Sequence, residues 1–270
     1  MSITRLDVNL EQYEIGVSGA IPERAYWSEL AMDRGILEFV SLFCGIVLKY
    51  GGRIVHGCHP TFTPVILRQA RLHAKERQRR PLTLVMSELW IQEYSRQAIQ
   101  AMTDVSEFVV TKKIGDKDAS DPETRNRSLS AMRRILIDAQ NLTVAVGGLL
   151  HNGDGIVPGV AEEVALAEQK SIPTFLVGGL GGLAKDLAAR IAPSRLRNSM
   201  SDEMNMILFT TDDVAASVNV IFEHLASSEA LARSAFQPVK WNPWNRAIID
   251  HRDGAIDTEA SNFILETFAG

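Results

Sequence analysis

Two short apolar segments, residues 142–146 and 173–177, each end in a pair of glycines, Gly147-Gly148 and Gly178-Gly179. Between them, residues 158–169 have the apolar spacing of a helix. This order predicts strand, glycine turn, helix, strand and glycine turn. Glycine lets a ligand approach the backbone, and the helix start that follows favours an anion. Because ligands of a parallel sheet bind at the carboxyl ends of its strands, the pattern predicts a phosphate site there, although turn formation alone also explains it.

Strand-like and helix-like segments alternate along most of the chain. The predicted strands are 14–17, 53–55, 82–86, 107–111, 142–146, 173–177 and 206–210. The strand at 107–111 is expected to be more peripheral than the three before it. The predicted helices are 22–48, 61–77, 93–102, 123–139, 158–169 and 212–225. This alternation predicts an α/β, Rossmann-like fold with a mostly parallel open sheet and helices on both faces. Residues 1–226 would form this domain, and residues 227–270 a C-terminal extension for packing or oligomer contact.

Composition narrows the class of partner. The chain has 270 residues and a net charge of −5, which gives no general attraction to nucleic acid or to anionic membranes. No apolar run is long enough to span a bilayer, and the N-terminus lacks an apolar signal segment, so we expect a cytoplasmic protein. The two cysteines, Cys44 and Cys58, are then expected to be reduced.

Four strand ends carry candidate ligand groups that a parallel sheet can bring to one edge. They are Ser18, Gly19 and Ala20; Gly57 and His59; Gly147 and Gly148; and Gly178 and Gly179. Backbone N–H groups at such turns bind anions without many cations. His56, Cys58 and His59 are too closely spaced for a usual zinc site, so we predict no metal.

Charged residues at two helix starts extend the candidate site. Arg125 and Ser128 lie near the start of the 123–139 helix, within reach of a phosphate, although Arg125 is also explained as a surface arginine. Glu162 and Glu163 either complement the dipole of their helix or bind sugar hydroxyls.

An ordered set of motifs resembles the SLOG superfamily. The motifs are VSGA at 17–20, YGGRIVHGCHPTFTPVI at 50–66, TRNRSLSAMR at 124–133, VAVGG at 144–148, PGVAEEVALA at 158–167 and PTFLVGGLGG at 173–182. The superfamily includes the LOG enzymes, the Smf proteins and nucleotide-sensor domains found beside TIR and sirtuin domains, and the likeness is closest to the TIR-associated sensor branch. The resemblance implies a Rossmann-like fold with a nucleotide site at the strand ends.

The LOG motif maps onto the central stretch. Its glycine pair corresponds to Gly147-Gly148, its Gly-Thr pair to Gly159-Val160 and its catalytic glutamate to Glu163, with Arg125 as the arginine of the preceding helix. Val160 replaces the threonine, and a longer loop precedes it. These departures favour binding over hydrolysis.

Three functions follow from these observations. The resemblance implies a sensor of a nucleotide-derived molecule, ADP-ribose-type or another phosphorylated nucleoside signal, in bacterial anti-phage signalling. The first alternative is a LOG-like phosphoribohydrolase, or another enzyme that cleaves N-glycosidic bonds, using Glu163 and Arg125. The second is an interaction protein with a vestigial site. We expect a homo-oligomer and a TIR- or sirtuin-type partner, with no cofactor besides the nucleotide ligand.

Overall fold

A six-stranded, all-parallel sheet forms the centre of the protein, in a computed structural model that describes residues 9–74, 79–150 and 158–227. The strands are β1 (Glu14–Ala20), β2 (Arg53–His56), β3 (Leu82–Ser87), β4 (Ser106–Thr111), β5 (Leu142–Gly147) and β6 (Thr174–Val177). Their spatial order is β4-β3-β2-β1-β5-β6. The predicted α/β, Rossmann-like parallel sheet is confirmed, and 107–111 is an edge strand as predicted.

The strand order reverses at β1. Glu14 pairs with Arg53 of β2 on one side, and Ile15 pairs with Leu142 of β5 on the other. The chain therefore builds the sheet outward from β1 in one direction and then returns to add β5 and β6 in the other. Open α/β sheets bind ligands in the crevice outside the strand ends near such a reversal.

Helices surround the sheet. They are α1 (Leu30–Lys49), α2 (Thr63–His73), α3 (Glu88–Ile91), α4 (Arg96–Thr103), α5 (Pro122–Asp138), α6 (Gly159–Gln169), α7 (Leu183–Ala188), α8 (Asp202–Thr210) and α9 (Val214–Ser227), with a short 3-10 helix at Pro193–Leu196. In the described part of the chain, no helix combines the length and the apolar character that crossing a bilayer requires.

Alternating strand residues bury both faces of the sheet. Ile54 of β2 packs in the cluster that contains Phe39 of α1, whereas the next residue, Val55, packs with Met132 of α5. Successive side chains of a strand point to opposite faces, so α1 and α5 cover different faces. The predicted placement of helices on both faces is confirmed.

The helix predicted to begin at residue 22 begins only at Leu30, and residues 21–29 have no regular helical structure. In this segment the Trp27 indole donates a hydrogen bond of 2.7 Å to Asp33, and Arg24 pairs with the same carboxylate. The Trp27 ring also lies against Gly181, where a Cβ added to the glycine would lie 2.4 Å from the ring. These tertiary contacts hold residues 21–29 as a loop across the top of the sheet, which corrects the predicted helix start.

The segment predicted as a strand at 206–210 is instead the end of α8. The Ser201 hydroxyl caps this helix by accepting a hydrogen bond of 3.2 Å from the Met204 N–H, and Asp202 and Glu203 lie in its first turn. A helix with an N-cap and acids at its start is stable in this position, whereas the apolar run alone fits either structure.

Other helix boundaries differ in smaller ways. The helix predicted at 93–102 is α4, which begins at Arg96 because the Ser95 hydroxyl caps it by accepting from Ala98 N–H at 3.1 Å. The short helix α3 before it was not predicted. Phe62 occupies the cap position of α2, while the Thr63 hydroxyl donates to the His59 carbonyl at 2.8 Å. Asp213 caps the predicted 212–225 helix, α9, by accepting a hydrogen bond of 3.0 Å from the Ala216 N–H. The proposed extension from residue 228 onward lies outside the described residues, as does the predicted helix end near residue 77.

Candidate functional site

A cavity of about 600 Å³ opens at the carboxyl ends of β1, β2 and β3. The turn after α3, the middle of α5 and the first turns of α6 complete its walls. Eight of the residues predicted for the site line it: Ser18, Gly19, Ala20, Gly57, His59, Gly159, Val160 and Glu163. Two of the four predicted strand ends, those after β1 and β2, therefore meet the start of α6 around one space, whereas neither glycine pair lines it.

The second glycine pair lies away from this cavity and packs against the protein. A Cβ at Gly179 would lie 1.8 Å from the Thr211 carbonyl oxygen, and one at Gly178 would lie 2.7 Å from the Ala188 Cβ. These glycines therefore allow the end of β6 to touch the chain that leaves α8. Close packing is the reason for the pair in this structure.

The first glycine pair packs against a residue of the cavity wall but does not line the cavity. Gly147 and Gly148 have φ values of 64° and 97°, and the Gly148 N–H donates to the Ala20 carbonyl at 2.7 Å. A Cβ at Gly148 would lie 2.8 Å from Val160, which does line the cavity. The pair thus joins the end of β5 to β1 and to the start of α6 without lining the cavity itself.

Arg125 and Ser128, which were predicted for the site, lie near the start of α5 and do not line the cavity. The Ser128 hydroxyl accepts a hydrogen bond of 2.8 Å from Ile114 N–H, and Arg125 donates one of 3.1 Å to the Ala119 carbonyl. Both contacts fix the loop between β4 and α5. This helix starts beside the edge strand β4 and crosses the sheet, so its middle and not its first turn reaches the cavity.

Arg133 is the α5 arginine that lines the cavity, and it was not among the residues predicted from the sequence. Its Nη1 donates to Glu162 Oε2 at 2.5 Å, and its Nε lies 3.7 Å from Glu163 Oε1. The two carboxylates and the guanidinium are 11% to 14% exposed. Glu162 is therefore the buried partner of Arg133 and does not line the cavity, whereas Glu163 does.

Glu163 combines burial with opposing electrostatic influences. Burial raises the pKa of its carboxyl above the usual value, and Glu162 adds to this, while Arg133 and the Ser18 hydroxyl act to lower it. Ser18 is itself buried, and its hydroxyl makes no hydrogen bond within the described residues, although it is close enough to lower the pKa of Glu163. The pair Ser18 and Glu163 offers a hydroxyl and a carboxylate to whatever enters the cavity.

Gly159 leaves room for Arg133 at the start of α6. A Cβ at this position would lie 2.6 Å from Arg133 Nη2. The helix begins with Pro158 as its cap residue, and no side chain among the described residues caps it, while Gly159 and Val160 of its first turn line the cavity. The backbone N–H groups of a helix start and the helix dipole attract an anionic group of a ligand.

The turn after β2 contributes two histidines with fixed roles. His56 Nε2 accepts from His59 N–H at 3.2 Å, so its Nδ1 carries the proton and donates to the Val17 carbonyl at 2.9 Å. His59 Nδ1 bonds to the Thr61 hydroxyl at 2.9 Å, and burial, with His56 and Arg133 nearby, lowers its pKa to about 4. His59 is therefore neutral at physiological pH.

Cys58, which lies in the same turn, has an unreactive thiol. Cys44 and Cys58 are both buried free thiols, and burial raises the pKa of Cys58 to about 12, so its thiol is a poor nucleophile. Across residues 9–74, 79–150 and 158–227, no group of three or more His, Cys, Asp or Glu is placed to hold a metal ion.

The wall formed by the end of α3 was also absent from the sequence-based prediction. The cavity is lined here by Trp90 of α3 and by Glu93 and Tyr94 of the turn that follows this helix, and the Glu93 N–H donates to the Trp90 carbonyl at 3.0 Å. Spacings of three and four residues place side chains on one face of a helical turn. That spacing was visible in the sequence, but the position of β3 beside β2 was needed to place this wall at the site.

Comparison with known proteins identifies the family. No curated protein matches the chain, but the family model described as SLOG cluster2 matches residues 37–211. This range runs from α1 into the chain after α8 and includes most of the cavity wall, from His56 to Glu163. The match covers more than half of the chain and confirms the resemblance drawn from the motifs. The protein therefore belongs to the SLOG cluster2 family.

Proposed function

We propose that the cavity binds a nucleotide-derived small molecule, and that the protein senses this molecule as a signal. Membership of a SLOG family supports nucleotide-related binding or processing. The observation that carries the proposal is the convergence of Ser18, His59, Trp90 and Glu163 around one cavity at the strand ends.

The size and chemistry of the cavity suit such a ligand. Its volume of about 600 Å³ falls within the range of roughly 300–1,000 Å³ that is usual for small-molecule sites. Met86, Leu129, Met132 and Trp90 are among its lining residues and give that part of its surface an apolar and aromatic character. A nucleobase fits that part, because it offers a flat apolar face of similar size.

The polar part of the cavity suits the sugar and phosphate. Glu163 and Ser18 would bind ribose hydroxyls, which donate hydrogen bonds to the carboxylate and accept one from the serine. His59 Nδ1 accepts within the protein, so Nε2 carries the proton and can donate to a ligand oxygen. A phosphate would lie at the start of α6, near Gly159 and Val160.

Hydrolysis of an N-glycosidic bond is the second candidate function, and Glu163 favours it. Its buried carboxyl with a raised pKa is the kind of group that stabilises positive charge at a sugar carbon or transfers a proton. In this alternative Arg133 replaces Arg125 as the arginine of the site, because it is the one that lines the cavity.

Sensing requires an output, and the described residues form one Rossmann-like domain without a separate effector domain. We therefore extend the proposal to a homo-oligomer or a TIR- or sirtuin-type partner that responds to the bound signal, as in the anti-phage role that the sensor-branch likeness implies. An ADP-ribose-type molecule is the signal that this likeness favours. Co-purification of a partner with the protein, and the presence of a TIR or sirtuin gene beside its own gene, test the proposed partner directly.

A ligand panel tests the proposed function. The full chain is incubated with nucleoside monophosphates, NAD and ADP-ribose, and thermal unfolding and free base are measured in parallel. A ligand at a hundred times its dissociation constant stabilises the fold by about 2.7 kcal/mol. Stabilisation without release of base supports the sensor, and release of base that Glu163→Gln abolishes supports the hydrolase.

Matched variants assign any binding to the cavity. Ser18→Ala and Glu163→Gln should weaken the binding several-fold, while Glu38→Gln, an exposed acid of α1 on the other side of the sheet, should not. If no panel member binds, or if all three variants bind as the unaltered protein does, the proposal is wrong.

A further inference from the structure

The charges around the cavity are unequal. Among its described lining residues Arg133 is the only lysine or arginine, whereas Glu93 and Glu163 are both acidic. Arg133 is already engaged, since it bonds to Glu162 and lies 3.7 Å from Glu163. Counting Glu162, which pairs with Arg133 from outside the lining, this region holds three carboxylates and one guanidinium, and both histidines are neutral.

An aromatic surface accompanies this excess of negative charge. Trp90 and Tyr94 line the cavity from the same turn as Glu93, at spacings that place them on one side of it. Burial, Cys58 and Glu93 all raise the pKa of Tyr94, so its ring stays neutral. The faces of tryptophan and tyrosine attract cations, and tryptophan does so most strongly.

We propose that this wall, formed by Trp90, Glu93 and Tyr94, selects a nucleoside whose ring carries a positive charge over a neutral ring of the same size. An N-ribosylated pyridinium or an N-alkylated purine has this chemistry. The aromatic faces contact the charged ring, and the carboxylate of Glu93 at the cavity entrance compensates its charge. The inference rests on the proposed function and defines the class of ligand for it.

Two pairs of probes that differ mainly in ring charge test the inference. The first pair is N1-methyladenosine, which is positively charged at pH 7, and its neutral isomer N6-methyladenosine. The second is the riboside of nicotinamide and its reduced, neutral dihydropyridine form. Titration calorimetry with the full chain should show tighter binding of the charged member of at least one pair, by about tenfold, which corresponds to about 1.4 kcal/mol.

Variants of the wall should remove this preference. Glu93→Gln and Trp90→Leu should each reduce it to less than about threefold, Trp90→Phe should keep part of it because a ring face remains, and Glu38→Gln should leave it unchanged. Glu93 is exposed at the cavity entrance, so its amide variant should fold normally.

The possible failures are distinguishable. If the neutral members bind as tightly as the charged ones, or if both charged probes fail to bind while a neutral nucleotide binds, the inference is wrong and the proposed function stands. If neither these probes nor any nucleotide binds, both are wrong. A preference that survives Trp90→Leu and Glu93→Gln also contradicts the assignment to this wall.

Discussion

Replacing Arg133 by methionine should destabilise the folded protein by about 3 kcal/mol at pH 7.5. Methionine keeps an unbranched apolar chain but leaves Glu162 and Glu163 next to each other without a cation. Removing one partner of a buried ion pair costs about 3–5 kcal/mol, and exposures of 11% to 14% place this pair at the lower end of that range. Urea unfolding followed by far-UV circular dichroism measures the loss.

The loss should depend on pH in a defined direction. Burial already raises the pKa of Glu163 above its usual value, and the variant lacks the arginine that opposes this shift. A carboxyl with a higher pKa in the folded state than in the unfolded state destabilises the fold above the folded pKa, and this penalty disappears as the pH falls below the unfolded pKa. The difference between the variant and the unaltered protein should therefore shrink at pH 4.

A second substitution supplies the control for this prediction. Adding Glu162→Gln to Arg133→Met removes one of the two carboxylates and should recover part of the lost stability, which a double-mutant cycle quantifies. A loss below about 1 kcal/mol at pH 7.5, or an equal loss at pH 4, would refute the reasoning that Arg133 neutralises buried acids.

Three further predictions concern Gly179, Gly159 and Arg125, which the sequence analysis assigned to the site. Gly179→Ala should lower the free energy of unfolding in urea by about 3 kcal/mol, because its Cβ would meet the Thr211 carbonyl. The control Gly57→Ala, whose Cβ would have its nearest neighbouring atom at 3.5 Å, should change this free energy by less than about 1 kcal/mol. Similar losses for the two variants would contradict the packing role of Gly179. Gly159→Ala should displace Arg133 and weaken binding of the panel ligand several-fold in calorimetry, and unchanged affinity would show that Arg133 does not matter for binding. Arg125→Ala should leave the affinity for the same ligand unchanged, and a large loss would restore Arg125 to the site.

The sheet could be predicted from the sequence because its strands are short, mostly apolar runs that alternate with segments of helical apolar spacing. The error at residues 206–210 arose because an apolar run of that length fits a strand or a buried helix, and only the cap at Ser201 decides between them. The error at residue 22 had a different cause. The loop that contains Trp27 is held by Asp33 and Gly181, and periodicity carries no information about such tertiary contacts.

The candidate site could be predicted in part. Ser18, His59 and Glu163 follow strands or begin a helix, and their meeting follows from the direction of parallel strands. The position of Arg133 depends on the angle at which α5 crosses the sheet. The Trp90 wall depends on the order of the strands in space. Neither the angle nor the order can be derived from local sequence, because both are set by packing between distant segments.

A crystal structure of the protein with the panel nucleotide that stabilises it most would test the central claim most directly. We expect the sugar of the bound molecule within hydrogen-bond distance of Glu163 and its ring against Trp90. Density for the ligand beside Gly178 and Gly179, or anywhere outside the cavity at the ends of β1, β2 and β3, would contradict the account.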